Sequence, residues 1–287
     1  MFPLLSDPWL NRLLKLCAGM SGALVLLILI FLVVESVPAL SSIGLFSFFS
    51  DPSWSPAEEA SQGSFNMVPM VAGTLWATLL AMLAAGPVGI GLAIYCHYYA
   101  TPVMAKLFRK LLELLAGIPS VVYGFWGLTA IVPILAKIHQ PGASLLAGAM
   151  ILGIMILPTV ALVADSALFQ VPRELIQGAT ALGMRPWSMI WGVILPTSRA
   201  GLFTGLLLGA GRALGETMAI LMVSGNVVQH PETLFSPIRT LTANIALEMA
   251  YALGDHRNAL FISGLLLMIM VTTLVILAEL AGRRRYD

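Results

Sequence analysis

Apolar residues in this chain come in long unbroken runs, not in the alternating or three-to-four-residue stripes of a water-soluble fold. A membrane-spanning helix needs roughly 20 predominantly apolar residues. Six stretches meet that length, at about 16–34, 70–96, 112–135, 143–164, 200–223 and 259–281. The pattern predicts an all-α, polytopic membrane bundle of six transmembrane helices. The first run is long and has no small-residue cleavage site ahead of Glu35 and Pro38, so it reads as a retained span.

Between the runs the polar segments carry their own punctuation. After the first span, Pro38, Asp51, Pro52, Trp54, Pro56, Glu58 and Glu59 make an outer loop without Lys or Arg. Its Trp54 and phenylalanines read as anchors at the membrane boundary, where aromatic rings are favoured. The chain divides at this loop into residues 1–66, a span plus its loop, and 67–287, a core of five spans. Residues 165–199 form a long connection between the fourth and fifth runs, and long connections tend to be functional. Within it Pro172, Glu174 and Gly183 mark the start and stop of a helix at about 173–182. Leu175, Ile176, Ala179 and Leu182 give that helix an apolar stripe opposite Arg173, Glu174 and Gln177, suited to a lipid surface or to a partner's groove. Between the fifth and sixth runs, Leu241, Ile245, Met249 and Ala252 recur with helical spacing in sequence too polar to span, which predicts an outer or partly re-entrant helix.

Composition agrees: 59% of residues are hydrophobic and 10% charged. The formal net charge of +1 conceals a spatial asymmetry. With the amino terminus inside, eleven of the fifteen Lys and Arg residues fall on the cytoplasmic side: Arg12, Lys15, Lys106, Arg109, Lys110, Arg173, Arg185, Arg199 and Arg283 to Arg285. Lys137, Arg239 and Arg257 fall outside, so both termini are expected in the cytoplasm. Such a distribution argues against nucleic-acid binding. Cys17 and Cys96 map near cytoplasmic span ends and read as reduced packing residues. His97, His139, His230 and His256 are scattered with no metal-site spacing and read as surface histidines.

Glycine rows in the spans indicate close helix packing: Gly86, Gly89 and Gly91 in the second, Gly117, Gly124 and Gly127 with Ser120 in the third, and Gly201, Gly205 and Gly209 in the fifth. The fifth run also holds the only pair of opposite charges at membrane depth, Arg212 and Glu216 in G-R-A-L-G-E-T. Four residues apart on a helix, they would share a face and could pair. Charge within a span marks a pathway, a relay or a buried ion pair.

The cytoplasmic segment resembles the permease subunits of bacterial ABC importers, whose signature is E-A-A, three residues, Gly, nine residues and I-x-L-P. The matching positions are Gln177, Gly178, Ala179, Gly183, Val193, Leu195 and Pro196. Spacing is intact, while Gln177, Gly178 and Val193 depart from the pattern. L-A-G-I-P-S-V-V-Y-G-F-W-G at 115–127 and G-R-A-L-G-E-T-M-A at 211–219 are similar to the C-type permeases of phosphate-specific importers, and Trp54-Ser55-Pro56 and V-P-M-V-A-G-T-L at 68–75 agree.

The resemblance implies a type I ABC importer permease (MetI-like) fold in the bacterial cytoplasmic membrane. It further implies an A-type permease completing a heterodimer, an ATP-binding cassette ATPase dimer and a periplasmic phosphate-binding protein. Phosphate would be the cargo, with Arg212 facing it, Glu216 holding that arginine, and Thr217, Ser120 and Tyr123 along the path. Arg173, Glu174, Gln177, Gly178, Ala179, Leu182, Gly183, Leu195 and Pro196 would couple the spans to the ATPase. This sequence contains no G-x-x-x-x-G-K-[ST] loop, so ATP and magnesium are expected on the partner and no cofactor on this chain. Other oxyanions (molybdate, tungstate, sulfate) suit the same architecture. A gated anion channel would need no ATPase and fits poorly with the docking helix. An intramembrane enzyme using Glu216 would lack a second acid, His or metal cluster at span depth.

Overall fold

Wherever the sequence is continuously apolar, the computed structural model, which describes residues 8–57, 61 and 63–283, is helical. Among the described residues, five helices are long and apolar enough to cross a membrane: α1 (Pro8–Ser42), α3 (Val68–Ile94, extended by a wider turn over Tyr95–Tyr99), α7 (Leu145–Phe169), α10 (Leu195–Gly215, preceded without a break by α9, Pro186–Met189, and a wider turn) and α13 (Gly254–Arg283). The remaining span is not one helix. The stretch predicted at 112–135 is split between α4 (Pro102–Gly117) and α5 (Ser120–Trp126), whose helical continuation reaches α6 (Val132–Ala136), and the two halves meet at 92°. Pro119 causes the break, because a residue before proline is driven out of the helical region and Ile118 accordingly has ψ 129°.

By its internal contacts the chain forms two units, Met1–Asn66 with Glu248–Leu266, and Met67–Leu247 with Leu267–Asp287. In the first unit, short helix α2 (Ser47–Ser50) follows α1, and strands β1 (Trp54–Ser55) and β2 (Ser64–Phe65) pair antiparallel. Trp54 is not a membrane-boundary anchor. It is buried, and its Nε1–H donates to Glu248 Oε2 at 2.9 Å, an oxygen that His256 Nε2 also approaches at 2.9 Å. His256 is therefore a core residue and not a surface one. A buried carboxylate needs such partners to offset its desolvation. Glu58, Glu59, Arg284 and Arg285 lie outside the described residues.

The second unit is built around α7, the most buried of the long helices, packed between α3 and α10. Methyl groups at Gly201, Gly205 and Gly209 would meet Ala167, Val163 and Val160 respectively, so the glycine row is the seam on which α10 lies against α7. Small residues permit that approach where lipid supplies no hydrophobic drive between helices. Cys96 is buried, whereas Cys17 is exposed, which departs from its reading as a packing residue. His97 also departs from the surface reading, lying 3.6 Å from Asp165. His139 does remain exposed and stacks on Phe235.

α7 runs on to Phe169 and the helix containing α9 starts at Pro186, so the connection expected at 165–199 is shorter than the hydropathy pattern suggested. It contains α8 (Arg173–Ala181), with Glu174 in its first turn and Gly183 just past its end at φ +71°. Glycine adopts that left-handed conformation without the steric cost a side chain would bring.

Candidate functional site

Arg212 sits one turn from the end of α10, half-buried, with Nη1 donating to Thr159 Oγ1 of α7 at 3.3 Å. It does not pair with Glu216. Helix α10 stops at Gly215 and Glu216 is extended (φ −69°, ψ 128°), so the shared helical face on which pairing depended is interrupted. Glu216 instead turns forward: Oε1 accepts from the Ala219 N–H at 3.0 Å, at the start of α11 (Met218–Val223). A carboxylate there satisfies one of the N–H groups that a helix start leaves without a partner. Thr217 lies at the break and donates weakly to the Gly215 carbonyl at 3.3 Å.

The break in α10–α11 lies against the one in α4–α5, since α11 packs directly on α5. A Cβ on Gly124 would come within 2.8 Å of Ala219 Cα, and one on Gly127 within 2.9 Å of Val223. Two interrupted helices therefore meet over glycine. Tyr123 is buried beside them, within electrostatic reach of Arg212, but its hydroxyl donates to the Leu115 carbonyl at 2.8 Å, in the last turn of α4, which also accepts from the Ile118 N–H at 3.3 Å. Ser120 opens α5 and is half-buried. The structure thus gathers Arg212, Glu216 and Thr217 at one break, and Ser120 and Tyr123 at the neighbouring one.

Three bracing residues gave no clear sequence signal. Thr242, on α12 (Leu241–Glu248), donates from Oγ1 to the Glu216 carbonyl at 2.8 Å. Thr74 of α3 accepts from the Leu241 N–H at 3.1 Å, which ties α12 to the core. Thr159, the Arg212 partner, stands among apolar residues and could have been noticed only as a hydroxyl at membrane depth. Asp165 had a legible signal, a lone acid near the end of a span. It takes Arg109 of α4 in a bidentate pair, Nε to Oδ2 at 2.8 Å and Nη2 to Oδ1 at 3.0 Å.

The α8 region divides its apolar residues between two tasks. Ala179 is buried and Ile176 packs on the cluster of Leu168, Ile190 and Ile194, while Leu175 and Leu182 face outward, Leu182 being 84% exposed. Arg173, Glu174, Gln177, Gly178 and Gly183 are exposed as well, Leu195 is half-buried and Pro196 exposed. A Cβ at Gly178 would meet open space. The predicted stripe therefore does not lie on one side: half of it holds the helix, and the other half is presented to the surroundings.

Residues 85–285 match the family described as the binding-protein-dependent transport system inner membrane component. This chain belongs to that family. Among its relatives, the probable ABC transporter permease protein YqgH of Bacillus subtilis is 35% identical over 275 residues, covering 94% of this chain and 88% of the relative. The phosphate transport system permease protein PstC of Mesorhizobium japonicum is 37% identical over 263 residues, covering 84% and 79%. In structure the permease also resembles a chain of a bacterial alginate ABC transporter crystallised with its alginate-bound periplasmic protein, with a TM-score of 0.66, 17% identity and coverage of 98% and 97%. That likeness establishes the fold. The permease is thus a multi-pass membrane transport subunit with the helical architecture of ABC importer permeases.

Proposed function

We propose that this permease carries inorganic phosphate inward across the bacterial cytoplasmic membrane, as the C-type half of a permease heterodimer. An A-type permease completes the pathway, a periplasmic phosphate-binding protein delivers the anion, and a separate ATPase dimer holds ATP and magnesium. Both termini face the cytoplasm. The observation that carries the reading is the state of Arg212: a guanidinium at span depth, with one protein hydrogen bond and no carboxylate within ion-pair distance among the described residues. A guanidinium keeps its charge and presents directed donors that match a phosphate edge. Chain-long similarity to phosphate permeases supports that choice of anion.

Release matters as much as capture. Glu216, capping α11, sits near enough in sequence to temper the positive potential without neutralising Arg212. Thr217, Ser120 and Tyr123 line the two breaks, where a small rotation of α5 or α11 changes what Arg212 faces. The exposed residues of α8, with Leu175 and Leu182, form the contact through which closure of the ATPase moves α7 and α10.

ATP-driven uptake of labelled phosphate into vesicles holding the assembled complex tests the reading, with molybdate and sulfate as competitors. Uptake is expected to be selective for phosphate and to fall at least about tenfold, equivalent to about 1.4 kcal/mol, in Arg212→Gln. Unchanged uptake in that variant would return Arg212 to a packing role, and preference for a competitor would change the cargo.

A further inference from the structure

The wall that carries Arg212 continues beyond it, towards α8, as an open cleft of about 530 Å³ between α7 and α10. Polar atoms come from Ser166 and Gln170 on α7 and from Thr197, Ser198 and Thr204 on α10, and no titratable side chain lines it. Helical geometry relates the cleft to the arginine. At 100° per residue, Ser166 and Gln170 fall within about 20° of Thr159, the Arg212 partner, and lie about 10 and 16 Å from it along the axis.

The two sides of the cleft differ chemically. On α10 the hydroxyls donate back into their own helix: Thr197 to the Val193 carbonyl at 2.6 Å, Ser198 to Ile194 at 2.8 Å and Thr204 to Ala200 at 3.0 Å. Ser166 and Gln170 make no such bond among the described residues, and both are exposed. Free donors in the cleft therefore belong to α7. A neutral hydroxyl and carboxamide can donate hydrogen bonds to an anion but lack the net charge and paired donors of a guanidinium, so they hold it less tightly.

We propose that Ser166 and Gln170 form a second, weaker oxyanion station, through which phosphate leaving Arg212 passes on its way out of the spans. The proposal rests on the phosphate reading of the permease. Its logic is a descending series: an anion held by a guanidinium meets next two uncharged donors on the same helical face. No carboxylate lines the cleft there.

Replacing Ser166 by residues of similar shape and different charge tests the station. In the complete complex in vesicles, Ser166→Asp should slow phosphate uptake at least about tenfold (about 1.4 kcal/mol), while Ser166→Asn stays within about twofold of wild type. Gln170→Leu should lower the maximal rate about threefold and leave the external half-saturation concentration unchanged, because delivery from outside precedes the cleft. ATP hydrolysis stimulated by loaded binding protein should persist in all three, which reports that the complex assembles. Equal uptake by Ser166→Asp and Ser166→Asn would overturn the proposal alone and mark the cleft as a seat for a partner helix or lipid. Absence of phosphate uptake in an ATPase-competent wild type would overturn the cargo reading, and this station with it.

Discussion

Thr242 Oγ1 donates at 2.8 Å to the main-chain carbonyl of Glu216, where α10 has stopped and α11 has not begun. A broken helix inside a membrane is tolerated only where its exposed backbone finds partners in protein or a polar cavity. Here that partner comes from α12, itself held to α3 through Thr74, so the break that displays Arg212 is braced from outside the helix that contains it.

Removing the brace should therefore cost stability. Thr242→Val keeps the shape and deletes the donor, for an expected loss of about 1–2 kcal/mol. In a chain of this size that lowers the melting temperature by about 2–4 °C, measurable by thermal unfolding in detergent. An unchanged midpoint would show that the carbonyl finds another donor.

Glycine at the crossing of the two breaks has a steric basis that substitution can expose. Gly124→Val places side-chain atoms against Ala219, whose Cα would lie 2.8 Å from a Cβ, and should destabilise by about 1–3 kcal/mol. Gly211→Ala, where a Cβ meets nothing within 4 Å, should be neutral or stabilise by about 0.5–1 kcal/mol. Comparing the two unfolding midpoints separates a packing requirement from a general preference for flexibility.

Arg109 and Asp165 clamp the amphipathic α4 to α7. Their bidentate geometry favours strong coupling, but 39% exposure of the arginine side chain lets solvent screen it. A double-mutant cycle with Arg109→Met and Asp165→Asn should yield a coupling energy of about 1 kcal/mol. A value near zero would mean that α4 is held by its apolar face alone.

Leu182 offers a test of coupling with little risk to folding. At 84% exposure it contributes little to the permease core, so Leu182→Glu should change stability by less than about 0.5 kcal/mol. Binding of the ATPase should weaken markedly, as read by co-purification and by loss of ATP-driven uptake. Intact docking would move the contact to Leu175 and the polar residues of α8.

Much of the architecture was legible in the chain. Apolar runs located the long helices because the bilayer sets their length, and Pro172, Glu174 and Gly183 located α8 because helix ends have fixed local chemistry. Pro119 was legible too, but a run spanning it at 112–135 outweighed its signal, since hydropathy measures length and not direction. His256 and Trp54 misled, because their burial depends on Glu248, some 200 residues from Trp54, whereas His139 and His230 are exposed as their sequence suggested.

Sequence alone determined that this protein spans a membrane, that one guanidinium stands at span depth and that α8 carries an outward-facing helix signature. These are local properties, fixed by which residues follow one another. Tertiary structure decided that Arg212 bonds Thr159 instead of Glu216, that Glu216 caps α11, and that Tyr123 and Thr242 close the ends of broken helices. Those outcomes turn on where a helix breaks and on which side chains from neighbouring elements then come within reach, and no periodicity along one helix records either.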